Sequence, residues 1–231
     1  MNKKLHINPE FILAAFAALC QLACLVISIE STYFAMGGVS AVTAAISVLW
    51  LIFAAMLPVF FLTGNKLFLR LSLILGAILR AVSLINTVIQ SIGEAAYALG
   101  VAYYAIQTVT LVLFILMAVS ACLKDGKTVS LIMRISACVL LAVNVLMLVQ
   151  MLGTLGYYHL ALKFYIILSY LVDIFFVSAV ALYSFKSFAE KKRASYKNAE
   201  EELRALKEKR ENGEITDIEY TAEKRRILKN I

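Results

Sequence analysis

Six times along this chain a run of about twenty or more residues passes with almost no charged side chain, and a layer of hydrocarbon about 30 Å thick needs a helix of that length to cross it. The runs occupy residues 10–29, 40–62, 68–92, 96–122, 130–152 and 160–185. In lipid each backbone N–H and C=O must find its partner within the protein, and these runs lack the alternating pattern of a barrel strand, so each is read as a helix. With 62% of the 231 residues hydrophobic and 16% charged, a soluble fold would have too little polar surface to cover its core. The expected fold class is all-α: a polytopic six-helix transmembrane bundle with a cytoplasmic C-terminal helical hairpin. The expected divisions are a membrane domain over 1–185, a basic helical linker over 186–201 and a tail over 202–231.

Orientation follows from the short loops, because bases are retained on the cytoplasmic side. Lys3 and Lys4 precede the first run, Lys66 and Arg70 mark the second loop, and Lys124, Lys127 and Arg134 mark the fourth. The first and third loops carry Glu30 and Glu94 without a base, and the fifth has His159 and Lys163. Both termini are therefore expected in the cytoplasm. The competing reading makes the first run a cleaved signal, since Gln21-Leu22-Ala23-Cys24 loosely resembles a lipoprotein site; Gln21 stands where such a site takes an aliphatic residue. Cytoplasmic turns recur at Gly64-Asn65-Lys66, Asp125-Gly126-Lys127 and Lys186, and Arg70-Leu71-Ser72 and Arg134-Ile135-Ser136 open the following runs alike. That spacing suggests three stacked hairpins, or only the likeness that hydropathy imposes.

Several chemistries are disfavoured at once. Cys20, Cys24, Cys122 and Cys138 lie in or at the ends of apolar runs without zinc-site spacing, and His6 and His159 are the only histidines. No metal or other cofactor and no enzymatic activity are expected. Of the 22 basic residues, 13 lie from Lys186 onward, interleaved with ten acids, which breaks up any continuous nucleic-acid-binding face. Lys191, Lys192 and Arg193 follow the last apolar run and suit the anionic surface of the bilayer, at about 1 kcal/mol for each base.

Beyond Phe185 the sequence turns charged and helix-favouring. Tyr196, Ala199, Leu203 and Leu206 form a narrow apolar seam. Gly213 is placed to end that helix, and Thr216-Asp217-Ile218-Glu219 is a capping box that opens the next, whose stripe is Tyr220, Ile227 and Ile231. Leu203, Leu206, Gly213-Glu214-Ile215-Thr216, Glu219-Tyr220, Lys224 and Ile227-Leu228 together resemble the short C-terminal domain (SHOCT) family over residues 202–228. The resemblance covers none of the membrane region. It implies a bacterial source and an oligomerising or partner-binding role for those tail residues, and implies no enzymatic activity.

Two ionisable residues fall deep within the runs. Arg80 lies about 12 positions into the third and Asp173 about 13 into the sixth, so each is roughly 18–20 Å from the surface at which its helix enters. A lone charge there costs at least about 2.5–3.5 kcal/mol, which a mutual ion pair relieves. The pair either fixes helix register or belongs to a solute or proton path. Ser83, Thr87 and Gln90 continue a polar stripe beyond Arg80. Asn144 and Gln150, Gln107 and Thr108, and Tyr165 and Ser169 bring polar groups from three further runs. These either line a hydrated cavity or make interhelical hydrogen bonds averaging about 0.6 kcal/mol apiece.

The expected function is a non-enzymatic membrane scaffold whose cytoplasmic tail drives self-association or binds a protein partner, with the lipid bilayer as its other partner and no role for nucleic acid. The alternative is a small transporter or channel-like protein built around Arg80 and Asp173. The topology predicts that single cysteines replacing Glu30, Gly93 and Lys127 in a cysteine-free background react with an impermeant maleimide from outside, from outside, and only after lysis. Labelling of Lys127→Cys in intact cells would remove the six-span topology.

Overall fold

The computed structural model describes residues 8–36, 41–92, 98–123, 126–154 and 160–229, with side chains described there except at 31–36, 41, 43, 90–92, 98–103, 154 and 229. Of the loop residues that set the orientation, Lys3, Lys4, Glu94, Lys124 and His159 lie outside the described residues. The described elements are α1 (Pro9–Met36), α2 (Ala41–Thr63), α3 (Lys66–Ile92), α4 (Ala98–Cys122), α5 (Lys127–Thr154), α6 (Leu160–Glu211) and α7 (Asp217–Lys229), with no strand among the described residues. The first six are long and apolar enough to cross a membrane. Their outer faces carry large exposed apolar side chains, such as Leu19 at 60%, Ile85 at 59% and Leu146 at 68%. A surface of that kind suits lipid, where exposed apolar groups meet no water.

Two helices outrun the apolar segments that announce them. Hydropathy falls at Glu30, yet α1 continues to Met36, because a helix satisfies its own backbone whether or not its side chains are apolar. Likewise α6 runs on from its apolar part to Glu211. No glycine or proline interrupts residues 186–211, and Lys197–Glu201, Arg204–Glu208 and Lys207–Glu211 are i,i+4 ion pairs of the kind that support an exposed helix. The expected linker at 186–201 is thus part of one helix with the membrane run before it and the tail after it. By contacts the chain divides into two compact units, Met1–Tyr183 and Ser184–Ile231.

In the first unit, successive helices from α1 to α5 pack side by side. The first part of α6 closes the bundle through aromatic contacts. Phe175 meets Phe16 of α1 at 5.9 Å, Phe176 lies 4.4 Å from Phe53 of α2 and 6.1 Å from Phe114 of α4, and Tyr183 stands edge-on to Phe60 at 5.0 Å. The turn from α2 to α3 is set locally. Gly64 takes φ 69°, a left-handed value natural only to a residue without Cβ, its N–H reaches Phe60 O at 2.8 Å, and Asn65 Oδ1 caps α3 by accepting from Leu67 N at 3.0 Å. The two arginines that open α3 and α5 do different things. Arg70 donates from Nε to Ala121 O at the end of α4, whereas Arg134 donates back to Ser130 O of its own helix.

In the second unit, α6 ends in a Schellman turn: Gly213, at φ 76°, donates to Arg210 O at 3.1 Å and Glu214 donates to Lys209 O at 2.9 Å. Three residues later Thr216 N donates to Glu219 Oε2 at 2.8 Å and Glu219 N donates to Thr216 Oγ1 at 3.3 Å, the reciprocal bonds of a capping box. Ile215 and Tyr220, both half-buried, occupy the flanking positions that an apolar staple joins. Arg210 ties the two helices by pairing with Asp217 Oδ1 at 2.7 Å and lying 5.1 Å from the Tyr220 ring centroid.

Thr216 donates to the Glu219 carboxyl from its N–H and, at 2.9 Å, from Oγ1, and these two bonds, the backbone one foremost, hold that carboxyl below the usual glutamate range. A group whose folded pKa is lowered stabilises the fold above its unfolded pKa and loses that effect as pH falls through the lowered value. Amide protection of 217–228 is therefore expected to hold from neutral pH to the ordinary glutamate range and to fall beneath it. Thr216→Ala should lower local helix stability by about 0.5–2 kcal/mol at neutral pH; unchanged exchange of 217–228 in that variant would rule out the cap.

Candidate functional site

Arg80 is held deep in the first unit by a gap in its own helix. One turn earlier, Gly76 leaves room that a side chain would fill: a Cβ there would stand 2.5 Å from Phe53 Cε2 and 3.1 Å from Phe114 Cε1. The rings of α2 and α4 thereby press against the α3 backbone. The guanidinium then lies over Phe114, 3.5 Å from its centroid, with Trp50 at 5.3 Å and Phe53 at 5.5 Å. Such cation–π contacts reach about 2 kcal/mol or more when water is excluded. Nη1 donates to Gly76 O at 3.3 Å, and Nη2 donates to Asp173 Oδ1 on α6 in an ion pair.

The two partners are not equally withdrawn. Arg80 is 8% exposed and Asp173 24%, because Asp173 faces open space. A cavity of about 350 Å³ reaches it, walled by Gln21, Cys24 and Ser28 of α1, Ser47 and Trp50 of α2, Ser83 of α3, Gln107 of α4, and Tyr165, Ser169 and Tyr170 of α6 among others. A smaller one of about 110 Å³ touches both charges and shares Trp50, Ser83, Gln107, Tyr170 and Asp173 with the first, adding Arg80, Thr110 and Asn144. Several of the wall hydroxyls are tied to their own helices: Ser169 donates to Ile166 O and Thr110 to Gln107 O, both at 2.8 Å. Their oxygens remain able to accept.

Apart from Gln21, Arg80 and Thr110 near mid-helix, the wall residues of both cavities lie in the C-terminal part of α1, α3 or α5 or the N-terminal part of α2, α4 or α6. The open space is thus confined to one half of the bundle. The other half, which contains the Gly64 turn, is packed. Leu57, Phe60, Leu69, Leu73, Ala118, Met133 and Ala137 are buried there, and Tyr183 sets its ring against Phe60 and Phe61.

Of the residues singled out from the sequence, the structure brings together Arg80, Asp173, Ser83, Asn144, Gln107, Tyr165 and Ser169. Thr87 donates to Ser83 O within α3 and is not among the cavity walls, and the Gln90 side chain lies outside the described residues. Thr108 likewise donates within its helix, to Tyr104 O. Sequence reasoning missed Gln21, Ser28, Ser47, Trp50 and Tyr170. The polar residues of α1 carried a usable signal, since Gln21, Cys24 and Ser28 recur at three- and four-residue steps on one face; Trp50, whose ring borders both cavities, offered none.

In the second unit Ala199 and Ile227 are buried, Leu203, Leu206, Ile215 and Tyr220 half-buried, and Lys224 and Leu228 exposed. Lys224 Nζ lies 5.9 Å from the Tyr220 ring centroid. Lys191, Lys192 and Arg193 are exposed, with Lys192 Nζ 5.6 Å from the Tyr196 ring centroid. Among the described residues no group of three or more His, Cys, Asp or Glu side chains is placed to hold a metal ion. Set beside known proteins, the chain matches no family model, no curated protein and no solved structure.

Removing one member of the Arg80–Asp173 pair leaves an uncompensated charge in a medium of low dielectric constant, which costs about 3–5 kcal/mol, while removing both relieves that penalty. Arg80→Leu or Asp173→Leu alone should therefore lower the unfolding midpoint of the detergent-purified protein far more than the double variant does. Strictly additive effects would show that the two charges do not stabilise one another.

Proposed function

We propose that this is a multi-pass protein of a bacterial cytoplasmic membrane that takes a small polar solute into the cavity beside Arg80 and Asp173, as a transporter or channel-like protein does. The observation that supports this reading is the asymmetry of the bundle: a space of about 350 Å³ with mixed polar and apolar walls reaching the half-buried Asp173 carboxylate on one side, and packed side chains on the other. The bases at Lys66, Arg70, Lys127 and Arg134 support a cytoplasmic side for the packed half by the positive-inside rule, which in this reading turns the cavity to the outside. Both termini are then cytoplasmic. Alternating access in such a protein requires the packed half to loosen when the open half closes.

A second reading keeps the scaffold role in the tail. Of the seam of Tyr196, Ala199, Leu203 and Leu206, the last three are buried or half-buried, which leaves Tyr196, 49% exposed, as its one open position. On α7, however, Ile218 is 83% and Leu228 51% exposed, and apolar side chains left out on a short helix favour a contact with a second copy or another protein. The SHOCT resemblance points the same way. Shared residence in one bilayer raises the effective concentration enough for so small a surface to act.

In a cysteine-free background, Ser169→Cys is expected to react with an impermeant methanethiosulfonate added outside intact cells, and Ala118→Cys of the packed half is not. Protection of Ser169→Cys equal to that of Ala118→Cys would overturn the solute reading. Deletion of residues 195–231 should leave that labelling unchanged while abolishing crosslinking between copies if the tail assembles them.

A further inference from the structure

The smaller cavity holds a polar group that the fold leaves unsatisfied. Asn144 is 95% buried, with a relative exposure of 5%, and its Nδ2 has no hydrogen-bond partner among the described residues. Native proteins rarely bury an amide in this way without a water or ligand to complete it. Arg80 and Asn144 line only this smaller cavity, whereas Gln107 and Asp173 line both, so hydrogen-bond donors and the positive charge lie on this side of the ion pair. On its other side the larger cavity, which Arg80 and Asn144 do not line, is walled by Asp173 with Trp50, Tyr165 and Tyr170, a setting that favours a cation through charge and aromatic rings.

The charges of Arg80 and Asp173 cancel. A solute with net charge would bring an uncompensated ion into a space enclosed by membrane-spanning helices, whereas a net-neutral solute with separated charges would meet a complementary sign at each end. Resting on the solute reading above, we infer that the two cavities together form a site for a small zwitterion bearing an ammonium and a carboxylate on a compact apolar skeleton. Its carboxylate accepts from Asn144 and Gln107 on the Arg80 side. The ammonium donates to the Asp173 carboxylate, whose Oδ1 is paired with Arg80, and Leu25, Ile166 and Met151 in the larger wall take the apolar part.

Four probes on one carbon skeleton separate the charge requirements: L-leucine, its methyl ester, N-acetyl-L-leucine and N-acetyl-L-leucinamide, which are zwitterion, cation, anion and uncharged polar molecule. With the full-length protein in detergent, calorimetric titration and the thermal midpoint at millimolar ligand report binding. L-leucine is expected to bind and raise the midpoint, with each of the other three weaker by about tenfold or more. Asn144→Leu should fold at least as well as the natural protein, since it removes an unpartnered buried amide, and should weaken L-leucine by about tenfold. Equal binding of all four probes, binding of none, or undiminished L-leucine binding by Asn144→Leu would each overturn the zwitterion site. If Ser169→Cys is labelled from outside but no probe binds, the ligand class alone falls; if Ser169→Cys is protected, the solute reading falls with it.

Discussion

A charge in the middle of an apolar bundle has to be answered by the rest of the structure, and the Arg80–Asp173 pair is where this fold answers it. An isolated arginine at that depth would cost at least about 2.5–3.5 kcal/mol. Joining it to Asp173 cancels the charge but fixes α3 against α6, which are far apart in sequence. The remaining arrangements follow from that contact. Gly76 gives up a side chain so that Phe53 and Phe114 can approach, Phe114 covers the guanidinium, and Phe176, three residues beyond Asp173, packs against the same two rings. Substituting at Gly76 would push against two aromatic rings at once, so the position is constrained by the charge one turn away as much as by its own neighbours.

Much of this was legible in the chain because lipid simplifies the problem. Six apolar runs mark six helices of sufficient length, since lipid leaves the backbone no other way to satisfy itself. Arg80 and Asp173 stand out because ionisable residues are costly and rare there. The turn chemistry was equally plain: Gly213 and the Thr216–Glu219 box act through local backbone bonds that do not depend on distant packing.

What escaped the sequence depends on which faces of different helices meet. Hydropathy marks the end of hydrocarbon-compatible sequence and is silent on where a helix ends, which is why α1 and α6 extend past their apolar runs. Trp50 looks like any aromatic residue until α2 is set beside α3. Gly76 reads as a small residue of no particular purpose until two rings are seen against it. The polar stripe beyond Arg80 reads through Ser83, Thr87 and Gln90, yet of the described side chains only Ser83 reaches the cavities, Thr87 lying a further turn along the same helix face.

The exposure of the two charges separates a pair that merely fixes register from one that also meets a solute. A structural pair is best served by withdrawing both partners and filling the space around them, since protein interiors pack densely and leave few voids. Here the filling is one-sided. Aromatic rings and a backbone carbonyl enclose Arg80, while Asp173 keeps 24% of its side chain open to a space of about 350 Å³. Apolar residues at Ser47, Ser83 and Ser169 would have closed that space and strengthened the bundle. Hydroxyls stand there instead, and a buried amide at Asn144 is left incomplete. Each of these choices gives up packing in the half of the bundle that is open; in the other half the buried hydroxyls of Ser72, Ser120 and Ser136 sit among close-packed side chains instead. Register alone explains the pairing of Arg80 with Asp173; it leaves unexplained why open space is kept beside the carboxylate.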